Sequence, residues 1–370
     1  MNVHSIYIHI VELPTIRPHK LSMHTITKQT IVVAQINDTE GLTGWSEVAT
    51  IGGASYGEAT PEAIKVNCET YITPHLIGKN PQQFNLLMYE ISKTVSGNYF
   101  ARALIEGALI DLAAKQRNIP AYDLLGGKIH DSLPVAWTLA SGDTGKDIEE
   151  AKELLQQKKH RIFKLKIGVG DAMENVEHVL KIKKEVGDGA RLTVDVNQAW
   201  DETTANYAIA RLQDGGVSMI EQPLPKWNFE GMSRLTERFS VPIMADEGAN
   251  SIHEIFQIAK HRSGNSIALK ICKAGGLQAT KTVAGIAEAA GLGLYGGTMI
   301  ESSLGTAIGL HVYSTIPHME FGTELFGPLL FKDTITANNI EYNNFDVVIP
   351  DGPGFGMIID EEKLNHYKRF

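Results

Sequence analysis

Charged residues recur in the second half of this 370-residue chain, each closing a short apolar run: Lys164 and Lys166 in FKLKIG, Asp195 in LTVDVN, Glu221 in MIEQP, Asp246 in IMADE and Lys270 in IALKI. From Lys166 onward they follow at steps of 29, 26, 25 and 24 residues, the length of one strand, one helix and their loops. Repeated strand-helix units close into a parallel barrel, and side chains at the C-terminal ends of its strands meet at one mouth. Three carboxylates flanked by amines at such a mouth suit a hard divalent cation with acid/base groups on either side. Without a cation they would repel one another, and some would take up protons. The alternative is a set of strand ends that face solvent or pair with surface lysines. Lys164 and Lys166 are two apart, so both project to the same side of a strand. Their apolar neighbours leave no route along which to snorkel to water. Amines so close to each other and to a cation are expected to have lowered pKa values, which suits proton exchange with a carbon acid. Glu247, next to Asp246, is expected to point elsewhere because strand side chains alternate.

The elements that must position these residues can be read around them. Candidate strands are VAWTLA, IFKLKI, RLTVDV, SMIEQP, PIMADE, SIALKI, LGLYGG and MEFGTEL, separated by helical segments such as DIEEAKELLQQ and ENVEHVLKIKKEV. Eight strands is the barrel number. Ahead of them, SIYIHIVEL, QTIVVAQI and LTGWSEV alternate apolar and polar positions, which predicts an antiparallel sheet. From Pro61 the periodicity turns helical, ending in ARALIEGALIDLAAKQ. The expected fold is therefore α/β: a modified (β/α)8 barrel over residues 126–330 carrying the active site, and an α+β capping domain over 1–125. The tail, 331–370, is too short for its own core and is expected to complete the capping domain.

Composition narrows the function. A net charge of −9 argues against a protein built to hold nucleic-acid backbones. Only Cys68 and Cys272 occur, so neither a disulfide framework nor a cysteine zinc site is available, and a reducing cytoplasm fits best. No stretch approaches the roughly 18 apolar residues of a membrane span, and the start lacks the pattern of a signal peptide. Two tempting motifs fail. GLGLYG at 291–296 fits G-x-G-x-x-G but precedes a strand instead of linking strand to helix, and HEIFQ lacks the second histidine of a zincin.

Taken together, KLK at 164–166, DVNQ at 195–198, EQP at 221–223, ADE at 245–247, LKICKAGG at 269–276 and GGTMIESSLGT at 296–306 resemble the enolase superfamily. With LPTIRPHKLSMHT from residue 13, IGGASYGEATPEAIKVN from 51, AWTLASGD from 136 and GTELFGPLL from 322, the chain most resembles its muconate-lactonizing (muconate cycloisomerase) group, over almost its whole length. The resemblance implies that Asp195, Glu221 and Asp246 hold Mn²⁺ or Mg²⁺. It implies Lys166 as general acid, Lys164 as its neighbour and Lys270 on the opposite side of the barrel. Glu324 resembles the family's supporting carboxylate, with a direct role or an indirect one as ion-pair partner of Lys270. Ile51 and Tyr56 match positions that contact substrate, while Arg17 and His19 fall in a second loop able to cover the mouth. Asn197 and Gln198 are expected to hydrogen-bond behind the ligands.

The activity so implied is the metal-dependent, reversible lactonization of cis,cis-muconate to muconolactone through an enolate, in the catechol branch of the β-ketoadipate pathway. The implied partners are a small dicarboxylate substrate and further copies of the chain, as an octamer, with no nucleic acid and no membrane. Chloromuconate cycloisomerase, o-succinylbenzoate synthase and N-acylamino acid racemase or dipeptide epimerase share the ligands and lysines. The GTELFGPLL ending favours a cycloisomerase, because epimerases usually carry aspartates there. A catalytically silent organic-acid binding protein is the reading of a different class, and the retained lysine pair argues against it. Since the metal and lysine set serves many reactions, the capping loops are expected to choose the substrate, with a change at Tyr56 leaving metal affinity almost untouched.

Overall fold

In the computed structural model, which describes residues 1–20, 25–57 and 59–369, the chain opens with three antiparallel strands: β1 (Val3–Lys20), β2 (Thr25–Asp38) and β3 (Thr43–Thr50), in that order across the sheet. The LSMH part of the motif from residue 13 and Glu58 of the motif from residue 51 lie outside the described residues. In the middle strand, Ile31, Val32, Val33 and Ala34 are all buried, so both faces of the sheet are covered there. The helix Tyr99–Arg117 packs on β3 and β2 and is buried without a break from Ala103 to Ala114. Its approach needs a glycine, because a Cβ at Gly107 would stand 2.3 Å from Ser46 Oγ. β1 continues past Pro14 and Pro18, after which pairing with β2 resumes at His19 and Ile26. Arg17 and His19 therefore sit on a strand arm and not on the loop expected for them.

A short strand, β4 (Ser132–Pro134), precedes a seven-stranded parallel sheet. Its members are β5 (Ala136–Leu139), β6 (Ile162–Lys166), β7 (Arg191–Asp195), β8 (Met219–Glu221), β9 (Ile243–Ala245), β10 (Ser266–Leu269) and β11 (Gly293–Gly296), each beside its sequence neighbour. β5, β8, β9 and β10 are buried at every position, as parallel strands covered on both faces must be. Helices return the chain between them, and four begin at an acidic or amide cap, Asp143, Asp171, Asp201 or Asn228, whose side chain accepts a first-turn amide.

The eighth expected strand, MEFGTEL, is not a continuous strand. Gly322 at φ +75° turns the chain out of the extended region, and only Thr323 bridges, to Val135 on one side and Gly296 on the other. That residue still closes the ring: Ala136 N donates to Thr323 O at 2.8 Å and Glu324 N to Gly296 O at 2.7 Å. Glu324 is thereby delivered to the mouth. The tail contributes β12 (Tyr342–Asn343) and β13 (Asp346–Val348), which join β4, and touches β1 through bridges from Phe331 and Lys368.

Candidate active site

Strand register brings the predicted residues together. Lys166 at the end of β6 stands opposite Asp195 on β7, which stands opposite Glu221 on β8. Lys166 Nζ donates to Asp195 Oδ2, while Asp195 Oδ1 accepts from Asn197 N at 3.0 Å. One layer deeper, the wholly buried Lys164 ammonium lies 2.7 Å from Glu221 Oε2 and 2.6 Å from Glu324 Oε2. Thr138 Oγ1 donates to the other Glu324 oxygen at 3.2 Å. Glu324 is therefore the partner of Lys164 and not of Lys270.

Across the ring, Lys270 follows β10 and donates to Asp246 Oδ2 at 2.9 Å. Lys273 donates to Asp246 Oδ1 at 2.7 Å. Sequence reasoning missed Lys273, although its spacing of three from Lys270 in LKICKAGG places both lysines on one turn of the short helix Ile271–Ala274 and its cap. It also missed Gln222, at φ +36°, whose Oε1 accepts from Asp246 N at 2.9 Å and Gly248 N at 3.1 Å. Asn197 and Gln198, at φ +45° and +69°, share this strained backbone at the strand ends, where unusual conformations gather at functional sites. Asn197 Nδ2 reaches Glu247 Oε1 at 3.1 Å, and Gln198 Oε1 accepts from Lys226 N at 2.9 Å.

Glu247 corrects an expectation. β9 ends at Ala245, so strand alternation no longer applies one residue past Asp246. Glu247 is buried at the site; burial first, then Asp246 and Asp195, push its carboxyl up to about 7. Burial, with Asp195 adding and Lys164 opposing, pushes Glu221 up to about 8. Burial also works against ionising Asp246 and Asp195, but the lysines outweigh it and hold both below the usual carboxylate range. Burial lowers Lys164, Lys166 and Lys270, yet the facing carboxylates prevail and raise all three.

Among the described residues no three His, Cys, Asp or Glu side chains are drawn together as a ready metal cluster. Asp195, Glu221 and Asp246 instead each meet a lysine. The donor set nevertheless fits a hard cation. Glu247 Oε2 is buried and lacks a hydrogen-bond partner, and the charges of Asp195 and Asp246 help push up both Glu221 and Glu247, crowding that a bound cation would relieve.

Above these groups lies a small cavity of about 20 Å³. Its polar wall includes Lys166, Asn197, Glu221, Lys270 and Glu324, and its lid is Ile51 and Tyr56 of the loop after β3. The sequence did not single out Thr138, Thr298, Ile300 or Phe326, which also line it. His19 reaches it from the β1 arm, its pKa lowered to about 4 by burial and by Lys166. Arg17 does not line the cavity; it ties the arm to the barrel helix Thr144–Gln156 through Glu150 at 2.7 Å.

Residues 5–126 match the N-terminal domain of mandelate racemase / muconate lactonizing enzyme, and residues 146–363 match the enolase C-terminal domain-like family. The chain belongs to the muconate lactonizing enzyme family. Muconate cycloisomerase 1 of Acinetobacter baylyi is 46% identical to it over 97% of this chain and 98% of its own. Chloromuconate cycloisomerase of Pseudomonas putida is 43% identical over the full length of both chains. A muconate lactonizing enzyme from Pseudomonas fluorescens, solved in complex with muconolactone, superposes with a TM-score of 0.98 at 46% identity, covering 100% of this chain and 99% of that one. Within this family of enzymes the chain shares the barrel and the antiparallel-sheet domain. No helix among the described residues is long and apolar enough to cross a membrane.

Proposed function

We propose that the protein catalyses the reversible cycloisomerisation of cis,cis-muconate to muconolactone, with Asp195, Glu221 and Asp246 holding a Mn²⁺ or Mg²⁺ ion. The observation that carries this reading is the row of Lys166, Asp195 and Glu221 in strand register, faced across the mouth by Lys270. Full-length similarity to muconate cycloisomerases supports the substrate class, and muconolactone in a solved relative is the product of that reaction.

One carboxylate oxygen of the substrate adds to the conjugated double bond, forming a C–O bond, and the displaced electron pair moves to the far carboxylate as an enolate. A divalent ion bound by the three carboxylates supplies charge stabilisation for that enolate. Lys166 then delivers its ammonium proton to the α-carbon, and in reverse the amine takes it back. The step is an isomerisation and needs no co-reactant. Lys164, held between Glu221 and Glu324, stays charged and adds a fixed positive centre beneath the dianion. Additional positive charge at the site draws the raised lysine pKa values back down, toward those useful for exchanging a carbon-bound proton.

A chlorinated muconate is the second candidate substrate, favoured by the full-length match to a chloromuconate cycloisomerase. The purified protein, supplied with Mn²⁺, is to be assayed on muconate and on chloromuconates for loss of diene absorbance and appearance of lactone. Lactone from neither refutes the assignment. The same reading makes the protein a cytoplasmic homo-oligomer. Two free, buried cysteines and the exposed aromatics Trp227 and Phe256 accord with it.

A further inference from the structure

Ile300 is the one β-branched residue with positive φ, +63°, among the described residues. A branched side chain is strained in the left-handed region, so something must hold it there. Ile300 is buried and lines the cavity beside Thr298. The grip comes from outside the cavity. Gln29 in β2, itself 1% exposed, donates its side-chain amide to Met299 O at 2.7 Å and to Ile300 O at 3.0 Å. The rest of the segment is pinned from within: Ile300 N donates to Thr298 Oγ1 at 2.8 Å, and Met299 N to Glu301 Oε1 at 3.0 Å. On its far side, Glu47 of β3 accepts from Ser302 N at 2.7 Å. A neutral amide is the group for this task, since a carboxylate at residue 29 would repel both carbonyls.

We infer that Gln29 is a positioning residue for substrate fit: by clamping the Met299 and Ile300 carbonyls it fixes Ile300 in its strained conformation and so sets one wall of the cavity. This rests on the cavity being the substrate site. The wall is apolar, completed by Ile51 and Phe326, and suits the carbon chain of an unsaturated dicarboxylate. Releasing the clamp lets Ile300 relax and changes binding and selectivity, while the lysines and carboxylates that act on the reacting atoms stay in place.

The test is Gln29→Met, which keeps the bulk and removes the donors, alone and combined with Ile300→Gly, because glycine adopts this φ without strain. Gln29→Met is expected to raise KM for the preferred muconate about ten-fold, the scale of one lost positioning contact, with kcat within about two-fold. In the Ile300→Gly background the same change is expected to move KM less than about two-fold, because the two residues act as one unit. Unchanged KM in Gln29→Met, or fully additive effects in the double variant, overturns the proposal. Should Gln29→Met fail to fold, Gln29→Asn, which withdraws the amide by one methylene, must show the same rise in KM, and parent-like KM there overturns it. Crystal structures of the parent and of the folded variant supply a readout that does not depend on turnover. Ile300 leaves positive φ when the clamp is cut if the inference holds, and an unchanged φ refutes it even where the parent converts no muconate, a result that would separately refute the proposed function.

Discussion

The Tyr56 hydroxyl bridges Asp246 Oδ2, 2.7 Å away, and the Lys270 ammonium, 2.8 Å away, so the loop after β3 is tied directly to a proposed metal ligand. The hydroxyl donates to the carboxylate and accepts from the amine, and Lys270 also lies 4.5 Å from the centre of the Tyr56 ring. With Asp246 as a metal ligand, a change at Tyr56 is expected to reach metal affinity as well as substrate choice, where the sequence alone led to the expectation that metal affinity would be almost untouched. Tyr56→Phe removes a hydrogen bond to a charged group, worth about 1.5–3 kcal/mol. It should weaken Mn²⁺ binding about ten-fold or more as well as raise KM for muconate. Calorimetric titration of Mn²⁺ into parent and variant decides it: equal metal affinities would sink the link between loop and ligand.

The row of Lys166, Asp195 and Glu221 is legible in the sequence because each residue ends an apolar run, and parallel strands at constant spacing bring such ends level. Other parts are not legible, for particular physical reasons. Pro14 and Pro18 break the alternation near His19, so a strand arm looks like a loop. Gly322 leaves the last strand with a single bridging residue, Thr323, which no periodicity reveals. Glu247 turns into the site because β9 stops two residues earlier, and strand ends are poorly marked in a sequence. Gln222 and Gln29 act through backbone groups, and amides at such positions read as ordinary polar residues until the fold supplies their partners.

Asp246 holds two buried ammoniums, Lys270 and Lys273, besides its proposed ion. Asp246→Asn removes the carboxylate that both ammoniums hydrogen-bond, leaving Lys270 only the charges of Glu221 and Glu247, and breaking such buried pairs costs about 3–5 kcal/mol. The variant should fold with a lower Tm, lose nearly all turnover and show no rise in Tm on adding Mn²⁺, whereas the parent gains stability from any ligand that binds only its folded form. Full activity in the variant, or in parent stripped of metal by a chelator, would overturn the ligand assignment.

Lys166 and Lys270 address opposite faces of anything bound in the cavity, so stereochemistry separates their roles. With Lys166 as the acid, Lys166→Ala should lose the factor of about 10²–10⁴ that a positioned proton donor supplies, or more. Product formed in D₂O by the parent should carry deuterium on the face toward β6, the outcome of syn addition. An equal loss in Lys270→Ala, with deuterium arriving from the β10 side, reverses the assignment.

Glu47 links the two sheets' domains in a way that titrates. It reaches from β3 to the N-terminus of the helix Ser303–Tyr313, where it accepts from Ser302 N, Ser302 Oγ and Gly305 N. Burial pushes its carboxyl from 4.5 up to about 7, against those hydrogen bonds. A folded-state value above the unfolded one means that the folded protein holds this proton more tightly. The stability it contributes is fully present below about pH 4.5 and is lost as pH rises through about 7. At about 1.4 kcal/mol per pH unit, the loss amounts to about 3 kcal/mol by pH 8. Glu47→Gln stays neutral throughout and keeps an acceptor for the helix amides, so its unfolding free energy should gain on the parent's by about that amount between pH 4.5 and 8. His19, His160 and His311, all lowered to about 4 chiefly by burial, act the other way and cost stability as pH falls below about 6.5. They do so equally in both proteins and cancel in the difference. Urea unfolding of parent and variant across this range is the measurement, and parallel stability curves would mean that Glu47 titrates in the folded protein as it does in the unfolded chain, which sinks the prediction.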